Sequence, residues 1–439
     1  MVFKKIKIKK SDFDNPINIQ EAEEPKEQCY GVALFAVFVA GFIVFFTLLS
    51  WAAVLESTAR LPADAPAAPV LACYYTTPSP RAERALRPPA IQPFLCTHIN
   101  VAFATIEDNE IHLEDHQRQT ISEVVKLKEI NPDLKVLLSV GGAGSHSGFQ
   151  SMVFNHTCRK TFIRSIKYIL RNLTLDGIDL DWEFPAVDFQ SESSKRERQH
   201  FSQLLREIRT EYRREKRNYL LTVAAAAPQI IVDAAYDVDQ LNLYTDFVNI
   251  MTYDFHTFTR FTPLTGLNSP LYARAGEELY PATLNINYTV QMYRSKGLHP
   301  SKIVVGIPTY GHSFTLMNSE NTNVGSPALG FGKLGELGFI TYTQVCAFLD
   351  TLGNESQIHM DEEAMVPYFY RNTEWVSYEN PDSVLAKAAY IRRSKLRGAM
   401  VFSLNADDYE NACIVSDMGK FPLTFCVKQS LGINLKYSN

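Results

Sequence analysis

Asp179, Asp181 and Glu183 recur at every second position of the run Asp176-Gly177-Ile178-Asp179-Leu180-Asp181-Trp182-Glu183, with Ile178, Leu180 and Trp182 between them. Side chains of an extended strand alternate in direction with a period of two, so the acids share one face and the apolar groups the other. Three ionised carboxylates on one buried face are costly. Like charges at short range drive their pKa values apart, so at least one of the three holds a proton near neutral pH. A carboxyl group that keeps its proton at a strand end suits general acid catalysis. A solvated acidic loop would not interleave Ile, Leu and Trp so regularly, and a calcium loop would carry Gly, Asn and Ser among its acids.

Such a strand needs neighbours to hold it. Eight short apolar runs read as strands: Val70–Tyr75, Thr97–Ala104, Lys135–Val140, Gly177–Trp182, Leu220–Ala225, Phe247–Thr252, Ile303–Ile307 and Gly398–Leu404. Helix-like segments lie between many of them, such as Arg159–Asn172, with Phe162, Ile163, Ile166, Tyr168, Ile169 and Leu170 as its apolar residues. Strands alternating with helices predict a parallel sheet, and eight such units predict a closed (β/α)8 barrel. An open doubly wound sheet is disfavoured, because no glycine-rich dinucleotide fingerprint follows the first strand. The last two runs are about 90 residues apart, far more than one crossover helix needs. We therefore expect a small inserted α+β subdomain over 313–387, with strand-like pieces at Phe339–Tyr342 and Val366–Tyr370. In a barrel of this kind Glu183 falls at the C-terminal mouth, where such enzymes keep their active sites.

The acidic run resembles the signature of family 18 glycoside hydrolases, the chitinases and their lectin-like relatives. Further segments share the likeness: Leu138-Ser139-Val140-Gly141-Gly142, Asn249-Ile250-Met251-Thr252-Tyr253-Asp254, Gly306-Ile307-Pro308-Thr309-Tyr310-Gly311 and Gly398-Ala399-Met400-Val401-Phe402. It runs from about Val70 to the C-terminus and includes Val366-Pro367-Tyr368 and Trp375-Val376 in the insertion. The resemblance implies a retaining, substrate-assisted mechanism, in which the sugar's own N-acetyl oxygen is the nucleophile. On that basis Glu183 is the acid, Asp181 orients the acetamido N–H, Asp179 supports Asp181 through a shared proton, and Tyr253 holds the acetamido oxygen. Tyr74, Phe103, Gly141, Gly142, Met251, Asp254, Tyr310 and Phe402 are the substrate-binding set that it implies. It also implies disulfides Cys73–Cys96 and Cys346–Cys413, and leaves Cys158 and Cys426 unassigned. The expected ligand is an N-acetylglucosamine oligosaccharide of the chitin type.

The sequence departs from that pattern where a long sugar chain would lie. Chitin-cleaving members line the groove with tryptophans, whose flat faces stack on sugar rings. Here the tryptophans are Trp51, Trp182 and Trp375. Phe402 stands at the strand-eight tryptophan position, Ala143 follows the glycine pair, and neither Thr76-Thr77-Pro78 nor His256-Thr257-Phe258-Thr259 supplies one. The arginine frequent after the strand-seven Tyr-Gly is His312. The expected activity is hydrolysis of β-1,4 linkages in N-acetylglucosamine oligomers; the alternative is a weakly catalytic or non-catalytic glycan-binding relative.

The N-terminal part is not of barrel type. No charged residue occurs from Gly31 to Leu55, a run rich in Phe, Val, Ala and Leu. About 20 apolar residues cross a bilayer, and a cleaved signal peptide has a shorter apolar stretch nearer the first residue. We expect a cytoplasmic tail over 1–30, an anchoring helix over 31–55, a Pro- and Ala-rich stalk over 56–69, the barrel over 70–433 and a short tail over 434–439. The triplets at Asn155, Asn172, Asn287 and Asn354 read as glycosylation acceptors, all C-terminal to the apolar run. They predict a type II single-pass protein with the barrel outside the cell or in the secretory lumen. Six of the seven cysteines lie on that side of the apolar run, an even number suited to disulfides. Cys29 stands at the other edge. A net charge of −5 argues against nucleic acid as a partner. No CxxC pair or His/Cys cluster has metal spacing, so neither metal nor cofactor is expected.

Overall fold

The computed structural model describes residues 68–187, 194–352, 357–413 and 419–433. The apolar run 31–55, the stalk as far as residue 67, Asn354 and the tail 434–439 lie outside them. Among the described residues no helix is long and apolar enough to cross a membrane.

The strands in chain order are β1 (Val70–Thr76), β2 (His98–Glu107), β3 (Glu110–His112), β4 (Lys135–Gly141), β5 (Gly177–Asp181), β6 (Leu220–Ala226), β7 (Phe247–Met251), β8 (Ile303–Pro308), β9 (Tyr310–Leu316), β10 (Ala328–Phe331), β11 (Phe339–Thr341), β12 (Gln357–Asp361), β13 (Val366–Arg371), β14 (Glu374–Ser377) and β15 (Gly398–Phe402). Eight of them pair in parallel in the order β1-β15-β8-β7-β6-β5-β4-β2, and β2 pairs back with β1 to close the barrel. These are the eight apolar runs of the sequence, each within three residues at either end. They read so plainly because a parallel strand is covered on both faces and is apolar on both.

The two faces have different company. Outward residues, such as Ile178, Leu180 and Trp182 of the acidic run, join one large core with the surrounding helices. Trp182 is stacked on Phe149 with ring centroids 5.2 Å apart and meets the edge of Phe201 at 5.8 Å. The helix His156–Asn172 buries Phe162, Ile163, Ile166, Ile169 and Leu170 as expected, but Tyr168, read with them, is exposed on its outer side. Inward residues form a second cluster with Val70, Ala72, Tyr74, Ala102, Tyr253, Tyr310 and Met400.

Between β8 and β15 a second sheet is built, antiparallel, in the order β10-β9-β14-β13-β12, with β11 on β9. Its core holds Phe314, Leu316, Val366 and Trp375. Trp375 is fully buried there, stacked on Tyr368. The helix Pro381–Arg393 then leads back to β15; Asn380 caps it, accepting from the Ser383 amide at 2.9 Å.

Disulfides join Cys73 to Cys96 and Cys346 to Cys413. The first ties β1 to the segment before β2, and the second ties the inserted region to the loop after β15. Cys158 is half-buried in the helix His156–Asn172, and Cys426 is buried in the helix Pro422–Ser430. Asn155 and Asn172 are exposed at the two ends of the former helix. Asn287 is half-buried, and its Oδ1 accepts from the Tyr390 hydroxyl at 3.0 Å.

Candidate active site

The three acids share a face but not an environment. Asp179 is fully buried at mid-strand. Its Oδ2 accepts from the Tyr74 hydroxyl at 2.6 Å and the Ser139 hydroxyl at 2.7 Å. Its Oδ1 accepts from the Thr222 hydroxyl at 2.6 Å and Asn249 Nδ2 at 3.2 Å. Burial raises the Asp179 pKa, and these four hydrogen bonds, from Thr222, Tyr74, Ser139 and Asn249, pull it back. Four donors fill a carboxylate's capacity. Both Asp179 oxygens are thus engaged by side chains other than Asp181, and Asp179 acts on Asp181 through its charge.

Asp181 ends β5. It is buried, and its Oδ1 has no hydrogen-bond partner. Burial, then the charges of Glu183 and Asp179, hold its pKa well above the carboxylate range. Glu183, two residues on, is only half-buried. Burial and then the charge of Asp254 push its pKa up to about 7. The site thus holds a fully hydrogen-bonded carboxyl group deep in the barrel, one with an unsatisfied oxygen above it, and one with a pKa near neutrality at the mouth.

The glycines serve this placement. The Gly142 amide donates to the Asp181 carbonyl at 2.8 Å, and a Cβ on Gly141 (φ +119°) would lie 2.0 Å from that same oxygen. A Cβ on Gly142 would meet the Phe103 ring at 3.0 Å. Gly141 and Gly142 therefore let β4 close against β5 and Phe103, a positioning role. Gly306 does the same for Tyr253, whose ring atom Cε1 would be 2.8 Å from a Cβ there.

Tyr253 is buried beside the acids, and its hydroxyl donates to the weak acceptor Met400 Sδ at 3.8 Å. Burial, followed by the charges of Asp181 and Asp254, raises its pKa well above the usual tyrosine value, so it stays a donor. Tyr310, on β9, gives its hydroxyl proton to Asp254 Oδ1 at 2.7 Å. His312 Nε2, on the same strand, lies 2.7 Å from that same oxygen. Asp254 itself has φ +58°, with its backbone amide held by Asn268 Oδ1 at 2.9 Å. The second sheet thus reaches the mouth through β9 and fixes the carboxylate that acts on Glu183.

No tryptophan among the described residues faces the mouth, yet it is aromatic. Phe402 is half-buried, with its ring centroid 5.5 Å from Tyr74, 5.9 Å from Tyr253, 6.2 Å from Tyr310 and 6.5 Å from Phe103. Phe339 stacks on Tyr310 at 4.5 Å. Met251 packs beside this group. Non-proline cis peptide bonds occur at Ala102–Phe103, Glu183–Phe184 and Phe402–Ser403, all at this end of the barrel.

The sequence reading missed Ser139, Thr222 and Asn249 as partners of Asp179; Tyr74, expected in the substrate-binding set, also donates to Asp179. A signal was present: each is a polar residue at an inward position of an otherwise apolar strand. It also missed the support beneath the mouth. The Ala186 amide and Gln150 Nε2 donate to the two oxygens of Glu197, at 2.8 and 2.7 Å, and Trp182 Nε1 donates to His146 Nδ1 at 2.8 Å.

The model of glycosyl hydrolases family 18 matches residues 70–407, from β1 to just past β15. The chain belongs to that family. Mouse chitotriosidase-1 is 35% identical over 398 residues, 88% of this chain and 82% of the mouse protein. Human chitinase-3-like protein 2 is also 35% identical, over 377 residues, 82% of this chain and 92% of the human one. Among solved structures, human YKL-39, described as a pseudo-chitinase with retained chitooligosaccharide binding properties, superposes on this family 18 chain with a TM-score of 0.77 at 35% identity. It covers 83% of this chain and all of that one. The Ostrinia furnacalis Group IV chitinase in complex with allosamidin gives 0.76 at 31% identity, over 83% of this chain and 99% of that one. Both chitinases and a pseudo-chitinase are thus among its relatives.

Proposed function

We propose that the protein hydrolyses β-1,4 linkages in short N-acetylglucosamine oligomers by substrate-assisted, retaining catalysis. The observation that carries this reading is the buried, unpartnered Oδ1 of Asp181, two residues before Glu183, whose pKa burial and the charge of Asp254 push up to about 7. A buried carboxylate oxygen without a donor costs free energy until one arrives. The N–H of a substrate acetamido group is such a donor. With that group held by Asp181 and its oxygen by the Tyr253 hydroxyl, the oxygen faces the anomeric carbon. Glu183 gives its proton to the glycosidic oxygen as that C–O bond breaks. The acetamido oxygen bonds to the anomeric carbon, leaving an oxazolinium-like ring. The Glu183 carboxylate then takes a proton from water, whose oxygen opens the ring and restores both the acetamido group and the acid. Asp254, Tyr310 and Phe402 bound the sugar site, and no metal or cofactor enters any step.

Phe402 supports a second reading, a glycan binder with little turnover, because a phenyl ring offers less stacking area than an indole under the reacting sugar. Human YKL-39, binding without being a true chitinase, is a relative of that kind. Turnover of a fluorogenic chitobioside, compared with Glu183→Gln, separates the two.

Our reading of topology is a type II protein anchored by 31–55 with the barrel outside the cell or in the secretory lumen. The two disulfides and the exposure of Asn155 and Asn172 support it. Treatment of the expressed protein with a glycosidase should lower its mass, and an unchanged mass would count against this placement.

A further inference from the structure

Away from the mouth, the barrel wall carries a groove of about 630 Å³ between the helices His156–Asn172 and Ser194–Arg214. Lys160, Arg164 and Lys167 recur on one helix at spacings of four and three residues, and Arg206 and Arg214 at a spacing of eight on the other. Both patterns bring the cations to one side of their helix. Five cations thus face two carboxylates, Glu207 and Glu211, on a chain whose net charge is −5.

Those two carboxylates are already engaged. Glu207 is clamped by Arg159, Nε at 3.0 Å and one terminal nitrogen at 2.8 Å. Glu211 is paired with Lys167 and, at 2.5 Å, with Arg214. Lys160, Arg164 and Arg206 are exposed and form no ion pair among the described residues. Arg206 also lines a second groove, of about 360 Å³, with Arg198, Gln203, Asp237 and Gln240. That groove lies between the helices Ser194–Arg214 and Val238–Tyr244 and shares only Arg206 with the first.

We infer that the first groove binds a sulfated linear glycan. The guanidinium groups of Arg164 and Arg206 match the oxyanion fork of a sulfate, and Lys160 adds a point charge beside them. A groove walled by two helices suits a chain, whereas lipid headgroups present a plane. Two disulfides place the barrel in an oxidising compartment, away from nucleic acid. The inference is independent of turnover at Glu183.

The test uses the full chain in neutral detergent on immobilised heparin, with a sulfated hexasaccharide and its desulfated counterpart as competitors. Lys160→Ser/Arg164→Ser/Arg206→Ser should weaken binding about tenfold or more, and flatten the log–log salt dependence by about two to three units, as counterion release requires. Arg84→Ser/Lys126→Ser/Lys333→Ser, an equal change in charge at exposed sites elsewhere, should shift affinity less than about twofold, and Glu183→Gln not at all. The proposal is overturned by equal losses in the two triple variants or by competition from the desulfated chain. It is also overturned by an absence of retention at low salt, or by capture on phosphatidylserine vesicles alone that depends on the three residues.

Discussion

The Tyr74 hydroxyl donates to Asp179 Oδ2 at 2.6 Å, tying β1 to β5 across the barrel interior. This bond helps to keep a buried carboxylate satisfied. Tyr74→Phe should lower unfolding free energy by about 1.5–3 kcal/mol, the usual worth of a hydrogen bond to a charged group. It should also move Asp179 further up, because one of its pKa-lowering partners is lost. Denaturant unfolding checks the first effect. A stability within error of wild type would show that Asp179 is satisfied without Tyr74.

Glu183 works as an acid only while it holds its proton. With a pKa of about 7, its active form is present below that pH and is lost as pH rises through it. Turnover per active site should therefore fall on the alkaline side with a midpoint near 7. A profile flat to pH 9 would contradict the assignment.

The same shift bears on stability. Unfolding returns Glu183 from about 7 to its ordinary 4.5. Between those values the folded protein binds a proton that the unfolded chain releases, so this group's contribution falls as pH rises. Glu183→Gln should stabilise the protein by about 1–3 kcal/mol at pH 8 and by little at pH 4. Thermal unfolding of the pair at both pH values measures the difference, and an equal effect at both would remove the proton-linked cause.

Phe402 lies within 6.5 Å of four aromatic rings but is only half-buried, so part of the side chain remains exposed. Phe402→Trp should tighten binding of a chitotriose about two- to tenfold, from about 0.5–1.5 kcal/mol of added stacking. Calorimetric titration reads it. Weaker binding would mean that this mouth has been remodelled for another ligand.

The fold was legible because each barrel strand is a local apolar run, and the acids because period-two alternation is a local signal. What surrounds the acids was not. The donors to Asp179 come from Ser139, Thr222, Asn249 and Tyr74, at sequence separations of 40, 43, 70 and 105 residues. Alternation tells which way a side chain points but not the register between strands that sets what it meets. Tyr310 and His312 show the same limit. Their motif reads as the end of a barrel strand, yet both lie on β9 of the second sheet and meet Asp254 more than 50 residues away in sequence.

The central claim is N-acetyl-dependent hydrolysis with Glu183 as the acid. Its most direct test is turnover of fluorogenic chitobioside and chitotrioside from acidic to neutral pH, by wild type and Glu183→Gln side by side. The account predicts release of the fluorophore by wild type and none above background by Glu183→Gln, with both proteins folded. Absence of wild-type turnover across that range, with chitooligosaccharide binding retained, would contradict it and leave a glycan-binding protein on a hydrolase scaffold.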